Sequence, residues 1–169
     1  MLKVAIIIAS TRPGRKAEAV ARWVYDIASK RSDAAFEIVD IKDFNLPLLD
    51  EPVPAARGQY SQPHTKAWAA KIEQFDAFVF VTPEYNHGPS AALKNAIDFL
   101  HREWNNKAVG FVGYGGNGGA RSADRDVLSR LHIERDALDL GEVGPQPRDH
   151  LVDRVTLVVR LELNGSALS

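Results

Sequence analysis

The sequence predicts an α/β fold in which a parallel sheet is covered by helices on both faces. Two observations predict it. Short, continuously apolar runs, typical of strands buried on both sides, recur along the chain. Between them lie segments whose apolar residues recur every three or four positions, the spacing of an amphipathic helix. The alternation of the two patterns is typical of parallel strands joined by helical crossovers.

Each element follows from one of these patterns. Apolar runs predict strands over residues 4–9, 36–41, 77–81 and 108–112. The partly alternating segment 154–163 suits a fifth strand at an edge of the sheet. Helical spacing predicts helices over residues of about 15–31, 64–75, 89–101 and 120–135.

Residues 43–63 follow neither pattern. They contain four of the nine prolines, and a loop of this length inside a compact domain is usually functional or mobile. No repeat or linker divides the chain, so we expect one domain over residues 1–169.

The composition of the chain excludes several classes of function. The net charge of −1 gives no basic surface for nucleic acid or an anionic membrane. No apolar stretch is long enough to span a bilayer or to form a signal peptide, which predicts a cytoplasmic protein. The chain has no cysteine, so any redox chemistry must come from a bound organic cofactor. No metal site is predicted.

In open parallel sheets, ligands bind beyond the carboxyl ends of the strands. The loop after the first predicted strand, residues 9–16, enters a helix, whose N-terminus favours an anion. It lacks the Gly-Lys-Ser/Thr ending of a Walker loop, so it suits a monophosphate. The alternative is a serine cap with solvated arginines. The candidate phosphate ligands are Ser10, Thr11, Arg12, Arg15 and Lys16.

The loop after the third strand, residues 82–90, is the second candidate. Pro83 ends the strand, Tyr85 offers a flat apolar face, and Asn86 offers both a donor and an acceptor. Glu84 either belongs to the site or is simply an acid near a helix N-terminus. Such a loop can bind a ligand that has an aromatic ring system, by wrapping one edge of the ring and the polar chain attached to it. The alternative is a turn that ends in a serine helix cap.

The loop after the fourth strand, residues 113–119, has five glycines in seven positions. Consecutive backbone N–H groups in such a loop can bind the electron-rich edge of a ring. Although it satisfies G-x-G-x-x-G, it does not follow the first strand, so we reject a dinucleotide fingerprint. The alternative is a loop without a ligand. The candidate ring-binding residues are Tyr114, Gly115, Gly116 and Asn117.

Taken together, the three loops resemble those of the NADPH-dependent FMN reductase family, a flavodoxin-like group that includes quinone, azo-dye and chromate reductases. Residues 9–12 (Ala-Ser-Thr-Arg) are similar to the family's Gly-Ser-x-Arg, and residues 83–88 (Pro-Glu-Tyr-Asn-His-Gly) match its central motif. Residues 93–98 (Leu-Lys-Asn-Ala-Ile-Asp) continue that motif. The resemblance covers about residues 1–135, and the C-terminal segment 136–169 is atypical.

The resemblance implies a three-layer flavodoxin-like fold with a five-stranded parallel sheet of order 2-1-3-4-5. It also implies noncovalent FMN, with its phosphate at Ser10, Arg12 and the backbone through Lys16, and its ring between residues 83–86 and 114–117. NADPH or NADH would be the co-substrate and a quinone, flavin or other small molecule the acceptor. No residue is assigned a catalytic role, because the flavin carries the chemistry. A homodimer or homotetramer is implied as well.

Two other functions remain open from the sequence. A flavodoxin-type electron carrier would bind FMN without enzymatic activity, although such a carrier is expected to have a more asymmetric charge. A flavin-free protein could use the first loop for another phosphate ligand.

Overall fold

The computed structural model describes residues 1–116, 118–123 and 155–160. Its strands are β1 (Leu2–Ile8), β2 (Ala34–Asp40), β3 (Ala77–Pro83), β4 (Ala108–Tyr114) and β5 (Val155–Arg160). Its α-helices are α1 (Ala17–Ala28), α2 (Pro63–Ile72) and α3 (Ala91–Asp98). Short 3-10 turns cover Ile41–Phe44, Ala55–Arg57, Arg102–Trp104 and Ala120–Ala123. Beyond Ala123, the predicted helix 120–135 lies outside the described residues.

The described strands form one sheet of order β2-β1-β3-β4-β5, which confirms the predicted order. Strands β1 to β4 are parallel, and their carboxyl ends are level: Ile8 is in register with both Asp40 and Val81, and Val81 with Val112. The loops that follow β1, β3 and β4 therefore emerge at the same edge of the sheet.

The direction of β5 corrects the prediction of a wholly parallel sheet. β5 pairs antiparallel with β4, with Val155 opposite Tyr114 and Arg160 opposite Val109. The partial alternation of the segment predicted an edge strand, and the family resemblance implied its place beside β4. The pattern carries no information on direction, which depends on the connection. An antiparallel edge strand on an otherwise parallel sheet is common.

Helices cover both faces of the sheet, as predicted. On one face α1 buries Val20 against Ile6 and Val112. On the other face α2 and α3 bury Trp68 and Leu93 with the aromatic side chains of β3 and β4. The continuously apolar strands are explained by this two-sided cover. Within the described segments, no helix has the length and apolarity needed to cross a bilayer.

Two buried tryptophans tie α3 to the core. The indole N–H of Trp68 donates to the carbonyl oxygen of Ala96 at 2.8 Å, and that of Trp104 donates to Ile97 at 3.2 Å. Both acceptors lie in the last turn of α3, where carbonyl groups have no partner within the helix. The tryptophans therefore fill the core and cap the helix at the same time.

The long loop of residues 43–63 is held by side chains from elsewhere in the fold. The Asn95 side chain of α3 donates to the Pro47 carbonyl at 2.6 Å and accepts from the Leu49 N–H at 3.0 Å. Tyr60 donates to the buried carboxylate of Glu103 at 2.7 Å. The loop is therefore attached at both halves, although its sequence has no regular period.

Glu51 closes this loop onto the start of α2. Its carboxylate accepts hydrogen bonds from the Ser61 N–H at 2.9 Å, the Ser61 hydroxyl at 2.8 Å and the Gln62 N–H at 3.0 Å. Burial raises the pKa of Glu51, but these hydrogen bonds outweigh it and lower the pKa to about 2.

We expect Glu51→Gln to lower the free energy of unfolding at pH 7 by about 1 kcal/mol, because it weakens hydrogen bonds to a charged acceptor. The depressed pKa gives the parent stability that is complete above about pH 4.5 and is lost as the pH falls toward 2. Urea unfolding of both proteins at pH 7 and pH 3.5 checks this. A difference that stays constant or grows on acidification contradicts it.

Candidate active site

Three loops meet at the carboxyl edge of the sheet. The Ala9 N–H donates to the Val81 carbonyl at 3.0 Å, so the chain leaving β1 stays against β3. The buried Ser90 hydroxyl donates to the Ala9 carbonyl and accepts from the Leu93 N–H at 3.1 Å. Ser90 thus caps α3 and ties its start to the first loop.

The first loop, residues 9–16, has one buried hydroxyl and an exposed rim. Ser10 is 1% exposed, and its Oγ has no hydrogen-bond partner among the described residues. Thr11, Arg12 and Lys16 are exposed. A buried donor without a partner is costly, so the loop is suited to receive an anion at Ser10, with the cations at its rim.

Thr11 also faces a neighbouring space. It lines a cleft of about 320 Å³ together with residues of the 3-10 turn after β2 and of α3. The other lining residues are Ile41, Lys42, Asn45, Leu46, Ala92 and Asn95. The cleft therefore lies beside the first loop, on the β2 side.

Arg15 was predicted as a phosphate ligand, but the structure commits its guanidinium to protein groups. Its side chain is 6% exposed and forms a two-pronged pair with Asp40, one contact of which is 2.9 Å. It also donates to the Ser10 carbonyl and, at 2.6 and 3.0 Å, to Glu18. Because Asp40 ends β2, Arg15 ties the first loop to the neighbouring strand.

The second loop, residues 84–90, contains a two-residue hairpin. Tyr85 and Gly88 exchange backbone hydrogen bonds of 2.9 and 3.0 Å, and the residues between them, Asn86 and His87, have φ of +49° and +67°. Two successive residues with positive φ are typical of a type I′ turn, which asparagine tolerates better than most residues. The turn holds Tyr85, 39% exposed, at the edge of the site.

The third loop, residues 113–119, folds back onto the end of β4. A Cβ on Gly113 would lie 2.3 Å from the Gly119 oxygen, and one on Gly119 would lie 2.2 Å from the Tyr114 nitrogen. The two backbone segments therefore approach at a distance that only glycine permits. A Cβ on Gly116 would meet nothing within 4 Å, so this glycine borders open space. Asn117 lies outside the described residues.

Glu84 joins the second and third loops. Its backbone N–H donates to the Tyr114 carbonyl at 3.1 Å, and its carboxylate binds Arg121 at 2.6 and 2.8 Å. The hydrogen bond from Arg121 holds the pKa of Glu84 below its usual range. Glu84 is therefore an ionised structural bridge between the loops.

Tyr114 is placed differently from its neighbours in the third loop. Its side chain is 7% exposed and packs in the cluster that contains Ile8, Ala17 and Val81. It therefore lies under the first loop, while its backbone remains beside Glu84. Burial raises the pKa of the Tyr114 phenol, so the hydroxyl stays protonated at neutral pH.

The structure brings together most of the predicted site residues. Ser10, Arg12 and Lys16 lie in the first loop, and Gly115 and Gly116 lie in the third. Pro83 ends β3, and Glu84, Tyr85 and Asn86 begin the second loop. The bridging contacts of Ser90, Asp40 and Arg121 were missed. Ser90 was identified only as a possible helix cap, and the last two are partners of predicted residues that lie 25 and 37 positions away.

Comparison with known proteins identifies the family of this chain. The family model described as NADPH-dependent FMN reductase matches residues 2–146. An NAD(P)H-dependent FMN reductase of Schizosaccharomyces pombe is 43% identical over 158 residues, which cover 85% of this chain and 79% of that protein. A quinone reductase of Pseudomonas putida is 36% identical over 140 residues, covering 77% and 71% respectively.

A solved structure shares the fold. The flavoenzyme FerB, an NAD(P)H:(acceptor) oxidoreductase of Paracoccus denitrificans, superposes with a TM-score of 0.62 at 24% identity. The superposition covers 78% of this chain and 72% of that one. This likeness supports the flavodoxin-like arrangement of strands and helices.

Proposed function

The chain belongs to the NADPH-dependent FMN reductase family, and we propose that it passes electrons from NADPH or NADH through bound FMN to a quinone, a flavin or a similar small acceptor. The observation that carries the proposal is the buried Ser10 hydroxyl, without a partner among the described residues, where the three loops meet. When bound, FMN supplies the hydride-accepting centre.

The residues of the site fit FMN. Ser10 offers a buried hydroxyl, and Arg12 and Lys16 offer exposed cations beside the start of α1. Thr11 adds a hydroxyl at the rim. A phosphate ester bound here satisfies the Ser10 side chain. In this proposal Arg15 is a positioning residue, because its donors already hold Ser10, Glu18 and Asp40.

The second and third loops suit the ring of the flavin. Pro83 and Glu84 fix the start of the second loop, Tyr85 and Asn86 present its hairpin, and the glycines of the third loop keep side chains out of the way. Backbone N–H groups of Gly115 and Gly116 are proposed to face the electron-rich edge of the ring. The same role for Asn117 remains a prediction.

The protein's share of the reaction is binding and orientation. The proposal needs no acid or base from the chain for hydride transfer, so no catalytic side chain is assigned. The exposed face of Tyr85 is a wall against which a planar acceptor can lie. A flavodoxin-type carrier would need none of the nicotinamide chemistry named for the relatives, and no observation favours it.

An absorbance titration tests the function. The protein incubated with FMN and freed of excess ligand is expected to show the spectrum of bound oxidised flavin, and NADPH or NADH is expected to bleach it anaerobically. Addition of a quinone is expected to restore the colour. Protein that retains no flavin contradicts the cofactor assignment, whereas flavin that nicotinamides do not bleach indicates a carrier.

The proposal also covers the oligomeric state of the protein and its place in the cell. We propose a homodimer or homotetramer that works in the cytoplasm. Leu48 and Leu49, which are 84% and 48% exposed on a loop anchored by Asn95, offer apolar surface for association. Light scattering of the FMN-loaded protein measures the mass, and a monomer at micromolar concentration contradicts the oligomer.

A further inference from the structure

The glycine-rich third loop has few side chains with which to hold its own shape. Gly118 and Gly119 have φ of +76° and +70°, a region that glycine enters readily and leaves as readily. Within the loop, the Gly118 N–H donates to the Gly115 carbonyl at 2.9 Å, so this turn is closed by backbone atoms alone. The position of the loop therefore depends on contacts at its two ends.

The close approach to β4 holds one end, and Arg121 holds the other. Arg121 Nη2 and Nε contact Glu84 Oε1 at 2.6 and 2.8 Å, and the Arg121 backbone N–H donates to Glu84 Oε2 at 3.2 Å. The carboxylate of Glu84 thus binds both the side chain and the main chain of a residue just beyond the loop. Among the described residues, no other side-chain hydrogen bond or ion pair joins this segment to the second loop.

Glu84 is a firm point of attachment for the loop. Its backbone N–H donates to the Tyr114 carbonyl at 3.1 Å, which fixes Glu84 against the end of β4. The Glu84 side chain is 9% exposed and that of Arg121 is 41% exposed. A shielded carboxylate that accepts several directed hydrogen bonds restricts the orientation of its partner. The pair therefore fixes the third loop relative to the strand ends.

The part of the loop held in this way is the part proposed to meet the flavin ring. A Cβ on Gly115 would lie 3.6 Å from Glu84 Cβ, so the backbone of Gly115 runs alongside Glu84, while Gly116 borders open space. Donors fixed beside an electron-rich edge stabilise added negative charge most strongly when they are held in place in advance. Reduction of the ring adds electron density to that edge, so the position of the loop matters more for the reduced ring than for the oxidised one.

We propose that the Glu84–Arg121 ion pair sets the affinity of the site for the flavin ring, and its preference for the reduced ring, by holding the third loop in place. The inference rests on the proposed FMN site. It gives the Glu84 carboxylate a role through the loop instead of a direct contact with FMN. Arg121, which lies in the 3-10 turn after the loop, is a positioning residue.

Binding of FMN and riboflavin to Arg121→Ala tests the proposal. Riboflavin has the same ring as FMN but no phosphate, so it reports binding at the ring end alone. We expect the variant to bind both flavins about tenfold more weakly, by the same factor, as measured by quenching of flavin fluorescence. We also expect the midpoint potential of bound FMN to fall, because the reduced ring loses more stabilisation than the oxidised one. Titration against a redox dye of known potential measures this shift.

Arg31→Ala is the matched control. Arg31 forms a two-pronged ion pair with Asp33 at 2.5 and 2.9 Å, but this pair precedes β2, at the amino edge of the sheet. Its loss should leave both affinities and the potential unchanged. Arg121→Lys keeps the charge but loses the two-pronged contact, so its affinities should fall between those of the parent and Arg121→Ala. It carries the test if Arg121→Ala does not fold.

A double-mutant cycle identifies the partner of Arg121. If the pair acts as one unit, Arg121→Ala has no further effect on FMN affinity in the Glu84→Ala background. Independent, multiplying effects overturn the proposal, as does a loss of FMN affinity without a loss of riboflavin affinity. An unchanged midpoint potential overturns the assigned preference for the reduced ring. Failure of the parent to bind FMN at all would instead reject the proposed function.

Discussion

Gly119→Ala is expected to lower the free energy of unfolding by at least about 3 kcal/mol and to abolish flavin binding. A Cβ at this position would lie 2.2 Å from the Tyr114 nitrogen and 2.4 Å from the Gly113 carbon, both backbone atoms of β4. The φ of +70° adds the strain of a left-handed alanine. Chemical unfolding and FMN titration measure the two effects.

Gly14→Ala provides the matched control. Gly14 has a similar φ of +66°, but a Cβ there would meet nothing within 4 Å. We expect this change to cost only the left-handed strain, about 1 kcal/mol. If the two variants are equally stable, the close approach of the third loop to β4 does not constrain the site.

Arg15→Ala is expected to reduce stability by about 3 kcal/mol, which is typical of breaking a buried ion pair. The change leaves the Asp40 carboxylate, 16% exposed, without its two-pronged partner and removes the donor to the Ser10 carbonyl. Because the first loop then loses its attachment to β2, flavin affinity should fall as well. Urea unfolding with and without FMN measures both consequences.

Arg12→Ala separates structure from ligand binding. Arg12 is exposed, and its side chain makes no hydrogen bond or ion pair within the described part of the chain; only its backbone carbonyl accepts one, from the Arg15 N–H at 3.2 Å. Loss of the side chain should therefore leave apo stability within about 0.5 kcal/mol. FMN affinity should fall about 10- to 100-fold, as expected for loss of a charge-assisted hydrogen bond, while riboflavin affinity is unchanged. If Arg12→Ala binds FMN as tightly as the parent, or if Arg15→Ala matches Arg12→Ala in both measurements, the roles assigned to the two arginines are wrong.

The apolar runs predicted the strands well because a strand covered on both faces requires apolar side chains at consecutive positions. β1 and β3, for example, begin or end within two residues of their predicted limits. The direction of β5 could not be predicted in the same way, because Val155–Arg160 has the same residues whichever way it pairs. The predicted helix 89–101 was too long at its C-terminus, since α3 ends at Asp98 and its last carbonyls accept hydrogen bonds from Trp68 and Trp104.

The sequence predicted which loops lie together better than it predicted the contacts of their side chains. Glycine, proline and hydroxyl residues indicate turns and helix caps from the local sequence alone, and the structure brings the loops that contain them together. Arg15 and Tyr114 depend instead on distant partners. Whether the Arg15 cation faces a ligand or a carboxylate depends on Asp40, 25 residues away, and the burial of the Tyr114 side chain depends on the cluster that includes residues of α1.

The hairpin at Tyr85 limits how this protein can acquire new acceptors. Its two-residue connection brings Tyr85 and Gly88 together, so inserting one residue would break the pair of backbone hydrogen bonds that holds the turn. Evolution of substrate range at this wall should therefore proceed by exchanging side chains on a loop of constant length. Relatives with different acceptors are then expected to keep the spacing between the positions of Tyr85 and Gly88 and to differ in the side chains at and between these positions.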